Sequence, residues 1–136
     1  MLKRLLHVTV SSPDVRYAFD LREVWLGWNW QQASLEEKIL RLRRMVLVNS
    51  IIYYRLNRSI ISDAFFDEIA YELASYQKVC PEFCANLGYF DAEFADFNGE
   101  TGFHLPLFDP RATNVAQRLV QWYDQDLEKF KVTHTN

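Results

Sequence analysis

Two helix-start signals, 28 positions apart, constrain this chain more than any other feature. Ser34 and Glu37 form a capping box, and Leu35, Ile39, Leu42, Val46, Asn49, Tyr53 and Leu56 follow at helical period. Positions 35–57 would span about 34 Å at 1.5 Å per residue. Asn57-Arg58-Ser59 breaks the pattern, and Ser62 caps a second run whose apolar stripe is Phe65, Ile69, Leu73 and Tyr76. Pro81 ends it. So short a connection joins antiparallel neighbours, and residues 35–80 read as a helical hairpin.

The flanks extend the pattern. Ser12-Pro13-Asp14 opens an N-terminal helix through Tyr17, Leu21, Val24/Trp25 and Trp28, with Gly27 near its end. Asp109-Pro110 opens a C-terminal helix through Ala112, Val115, Leu119, Trp122/Tyr123 and Leu127 to about Phe130. His7–Val10 and Phe103–Phe108 have extended character and are expected to pair as a small two-stranded β ribbon. Residues 84–108 mix aromatic and acidic side chains without a clear period. The expected fold is mainly α: one domain over 1–136, with the hairpin packed between an N-terminal and a C-terminal helix.

Composition agrees. A chain of 136 residues with 49% hydrophobic and 15% aromatic residues can build one core, which excludes a disordered or low-complexity protein. Four glycines and four prolines are few for a β-sandwich, and no glycine pair has phosphate-loop spacing. Residues 1–58 carry ten Lys/Arg against five Asp/Glu, whereas 59–110 carry ten Asp/Glu against Lys78 alone. Such a split fits two solvated faces, or a surface that steers a partner or a zwitterionic ligand. No targeting segment or membrane span is expected, and two cysteines suggest a reducing cytoplasm.

One constellation carries chemical information. Asp63 and Asp67, four apart, share a face of the second helix with Phe66, and that face is expected to lie away from the buried stripe. Tyr53 and Tyr54 stand at the same end of the hairpin. Two carboxylates among aromatic rings suit a flat organic cation, the rings offering π faces and the carboxylates neutralising charge. The same pattern also fits a solvated acidic face with partly buried rings.

The stretch from Tyr53 to Ile69, YYRLNRSIISDAFFDEI, resembles the N-terminal Ia domain of bacterial NAD-dependent DNA ligases. That family reads roughly Y-[HY]-x-x-D-x-P-x-I-[SP]-D-A-x-[YF]-D-x-L. The likeness covers about residues 35–83, including Glu72-Leu73 and Cys80-Pro81-Glu82-Phe83. It implies a helical module that grips the nicotinamide mononucleotide half of NAD, with Tyr53, Tyr54, Asp63, Phe66 and Asp67 on the family's binding positions. Tyr54 stands where many members have His, and Phe66 where many have Tyr. Proximity alone suggests Arg55 or Arg58 for the phosphate.

There are also departures. Asn57-Arg58-Ser59 replaces the Asp-x-Pro turn, which would loosen the hairpin, and the Ser-Pro-Thr segment that usually follows is missing. The nucleophile motif K-x-D-G is absent, since Lys3, Lys38, Lys78, Lys129 and Lys131 lack the Asp-Gly partner. No covalent adenylate can form on this chain, so it is not expected to be an enzyme by itself. The expectation is a stand-alone module for NAD or nicotinamide mononucleotide, acting with an adenylation domain in trans or as a sensor. The alternative is a phage or prophage interaction protein that inhibits a host or defence protein through the same hairpin.

Other features weigh less. Cys80 and Cys84 supply at most two metal ligands, so no metal is expected. His7, His104 and His134 form no nucleophile–base pattern. Lys38, Arg41, Arg43 and Arg44 offer weak DNA contact. Trp25, Trp28 and Trp30 with Trp122 fit an interaction surface or, as the favoured expectation, an aromatic core.

Overall fold

The structure, a computed structural model, describes residues 33–134, with side chains to Lys129. The N-terminal helix expected at 12–27, the strand at 7–10 and three of the four tryptophans lie outside the described residues. Five helices are described: α1 (Leu35–Tyr54), α2 (Asp63–Val79), the single turns α3 (Pro81–Cys84) and α4 (Asp91–Phe94), and α5 (Pro110–His134). The fold is mainly α, and no strand occurs among the described residues.

Helix α1 starts where its cap places it. Ser34 Oγ accepts from the Glu37 N–H at 3.1 Å, and the Ser34 N–H donates to Glu37 Oε1 at 3.2 Å. From Ile39 onward burial is not confined to one stripe: every residue from Leu42 to Ile52 except Arg44 is buried. The reason is position, because α1 packs against both α2 and α5. Polar groups inside this run find partners close by, as Asn49 Nδ2 donates to the Met45 carbonyl at 2.8 Å. Ser50 Oγ is the exception, buried without a hydrogen bond.

The helix ends at Tyr54, three residues earlier than the apolar pattern suggests. Its last turn widens: the Leu56 N–H donates to the Ile51 carbonyl and the Arg58 N–H to the Ile52 carbonyl. Asn57 between them is left-handed, φ 56°, which asparagine tolerates better than most residues. These bonds and the buried Ile60 and Ile61 hold the turn. Ser62 Oγ then accepts from the Phe65 N–H at 3.0 Å to start α2. Arg43, in the third turn of α1, donates to Gln77, near the end of α2, so the pair is antiparallel as expected.

The buried stripe of α2 is Phe66, Ile69, Ala70, Leu73 and Gln77, rotated from the expected Phe65/Ile69/Leu73/Tyr76. The helix is covered along two flanks, by α1 and by the segment that follows it. Gln77 Nε2 donates to the Phe94 carbonyl, and Gly99 sits against Ala70 and Ala74. This second neighbour draws Phe66 inward and leaves Phe65 and Tyr76 at the margin.

Residues 84–108 contain almost no regular structure, yet they are tied at many points. Arg43 is 1% exposed and lies under them. Its guanidinium donates to the Cys84 carbonyl at 2.7 Å, the Tyr89 carbonyl at 3.0 Å and Asp91 Oδ1 at 2.6 Å, with the Phe94 ring 5.2 Å away. Further along, Asn98 Oδ1 accepts from the Glu100 N–H, and Gly102 packs on Ser50 so closely that a Cβ there would collide with its hydroxyl. Residues 103–108 are turns, not the expected strand, closed by bonds such as Leu107 N–H to the Leu105 carbonyl. Asp109 Oδ2 caps α5 through the Ala112 N–H. That helix buries Ala112, Ala116, Leu119 and Tyr123 but leaves Val115 and Trp122 exposed, against the expectation of a core tryptophan.

Candidate functional site

The closed end of the hairpin gathers four of the five residues singled out by sequence. Tyr53 and Tyr54 occupy the last turn of α1, partly exposed, with ring centroids 5.0 Å apart in an edge-to-face arrangement. Asp63 is the first residue of α2, and Asp67 stands one turn on, both partly exposed. Asp63 also meets the positive end of the α2 dipole, which favours its charge. Tyr54 reaches further: its hydroxyl lies 2.8 Å from Thr101 Oγ1, and its ring packs edge-on to Phe103.

Phe66 behaves differently from the expectation. It is fully buried, so it supports the helix pair from within and offers no open face to a ligand. The two candidate phosphate contacts are also committed inside the chain. Arg55 donates to the Leu107 carbonyl and Thr113 Oγ1 and lies over the Phe108 ring. Arg58 pairs with Asp124 at 2.6 Å, which lowers the pKa of that carboxyl and raises that of the guanidinium. Arg43, counted among the basic residues for DNA, is buried and unreachable by a phosphate.

Beside Thr101 opens a cavity of about 500 Å³ lined by Glu93, Asp96, Asn98, Glu100 and His104, among others. Its wall is acidic, which suits a cation better than a phosphate. Among the described residues no group of three or more His, Cys, Asp or Glu side chains is placed to hold a metal. Burial pushes the pKa of the Cys84 thiol up despite Arg43 nearby. No helix among the described residues is long and apolar enough to cross a membrane.

Sequence reading missed two features. Arg43 looked like one more basic residue on a helix; its position inside an apolar run (Leu42, Met45, Val46) was the available signal. The second is a groove between α1 and α5, about 500 Å³, lined by Arg44, Val48, Tyr89, Arg111, Ala112, Val115, Leu119 and Trp122. Its residues come from three separate segments, so no local pattern announced it. Comparison of the chain with protein-family models, curated proteins and solved structures finds no match.

Proposed function

We propose that this protein is a stand-alone binding module for nicotinamide mononucleotide or the corresponding half of NAD. The observation that supports it is the closed end of the hairpin, where Tyr53, Tyr54, Asp63 and Asp67 remain partly exposed. The cationic nicotinamide ring would lie against the tyrosines, with Asp67 and Asp63 balancing its charge. Phe66 would set the backbone beneath them rather than touch the ligand.

Calorimetry with the folded protein tests this directly. Nicotinamide mononucleotide should bind, and adenosine monophosphate, which lacks the cationic ring, should compete poorly. Asp67→Ala removes a charge-assisted contact of about 1.5–3 kcal/mol and should weaken binding roughly ten- to a hundredfold. Absence of binding at millimolar ligand would refute the reading. Incubation with NAD should leave the intact mass unchanged, since no lysine stands in an adenylation motif.

A second reading, an interaction protein acting on a host or defence protein of a phage-infected cell, draws on a separate observation. Val115 and Trp122 are large, exposed and adjacent to a preformed groove, where α5 would otherwise carry polar residues.

A further inference from the structure

The groove between α1 and α5 has an apolar floor and a cationic edge. Val48, Ala112 and Leu119 form its deep part and are almost fully buried. Val115 and Trp122, 44% and 51% exposed, stand along its flank. They are seven residues apart, two helical turns, and mark an apolar row about 10 Å long. Arg44 and Arg111 are the charged groups of the lining, and no carboxylate belongs to it. The Arg44 guanidinium lies 5.2 Å from the centroid of the Tyr89 ring, held over an aromatic face.

We propose that this groove receives an acidic amphipathic helix from a partner protein. Side chains at i, i+3 or i+4, and i+7 of that helix would enter between α1 and α5, the spacing that matches the Val115–Trp122 row. Its Glu or Asp residues, on the flanks of the apolar stripe, would face Arg44 and Arg111. Charge selects the occupant: a nucleic-acid backbone would satisfy the arginines but leave the floor wet, whereas a basic helix would fill the floor against two like charges. The inference rests on the interaction reading and shares no residue with the hairpin end, so either can fail while the other stands.

Fluorescence anisotropy with the full chain provides the test. The probe is a labelled sixteen-residue helical peptide with Leu at the anchor positions and Glu on both flanks. Its control carries the same leucines flanked by Lys. The Glu peptide should bind at least about tenfold more tightly than the Lys peptide, and Val115→Asp should weaken it about tenfold or more. Arg44→Glu with Arg111→Glu should reverse the preference. Val115 is exposed, so the variant should keep its circular dichroism; if it does not, Trp122→Ala reads the same surface. Equal binding of both peptides, or no binding of either at millimolar concentration, would overturn the proposal. Self-association of the wild-type chain that Val115→Asp abolishes would overturn it too, assigning the groove to a second copy. Nicotinamide mononucleotide binding measured on Val115→Asp should be unchanged, which separates a failed groove from a failed nucleotide site.

Discussion

Helices α1 and α2 and the segment 84–108 share one apolar core, but the segment needs a further kind of tie. The helix pair is fixed by apolar stripes, with Leu42, Val46, Ile69 and Leu73 nearly inaccessible. The segment has one single helical turn. Besides the buried side chains of Phe94, Phe97, Leu105 and Leu107, it is fixed by directed polar contacts, three of them from the Arg43 side chain. A buried guanidinium has five N–H donors in a rigid fork, so it can organise several distant main-chain carbonyls at once. Irregular backbone can therefore hold one path without a period of its own, provided that a neighbouring helix supplies the donors.

The largest way to break this contrast is Arg43→Met. It would fill similar space but leave Gln77 Oε1 and the Cys84 and Tyr89 carbonyls without their donor. We expect a loss of about 3–5 kcal/mol by urea unfolding, with amide exchange faster over 84–94 than over α2. Equal loss of protection in both regions would show that clamp and hairpin form one cooperative unit.

Gly102→Ala should cost less, about 1–3 kcal/mol, because the new methyl must displace Ser50. Ser50→Gly in the same chain should restore much of that loss. On its own, Ser50→Ala removes a buried hydroxyl with no partner and should be neutral or slightly stabilising.

Acid should loosen the segment next. Burial opposes ionisation of Asp91, but the Gly88 and Leu87 N–H groups and Arg43 outweigh it and hold the carboxyl below its usual range. A lowered folded-state pKa adds stability in full above the unfolded value near pH 4, and loses it as pH falls through the lower folded value. Thermal unfolding should therefore shift down below about pH 4, and Asp91→Asn should flatten that dependence. The smallest effect belongs to the exposed Arg58–Asp124 pair, where Arg58→Ala should cost less than about 1 kcal/mol and shrink further in salt.

The same contrast explains what the sequence made legible. Caps at Ser34, Ser62 and Asp109, with Pro81 and Pro110, located helix ends to within a few residues because those signals are local. Which face is buried was less readable. Phe66 instead of Phe65, and Trp122 outside rather than inside, depend on what packs alongside, and that includes the irregular segment. At the candidate site the tyrosines stand in the last turn of α1 and Asp63 and Asp67 in the first two turns of α2, positions that follow from the caps and the short connection. The roles of Arg43, Arg55 and Arg58 escaped because their partners lie 34 to 66 residues away.

The choice of acceptors under Arg43 has an evolutionary consequence. Two of them are main-chain carbonyls, at Cys84 and Tyr89, and a carbonyl is presented whatever side chain its residue carries. Ala85, Ala92, Glu93 and Ala95, all exposed in the same stretch, can drift without disturbing the anchor. Lineages carrying Arg43, Gln77 and Asp91 are thus free to diversify the outer face of residues 84–95 while the chain follows the same route.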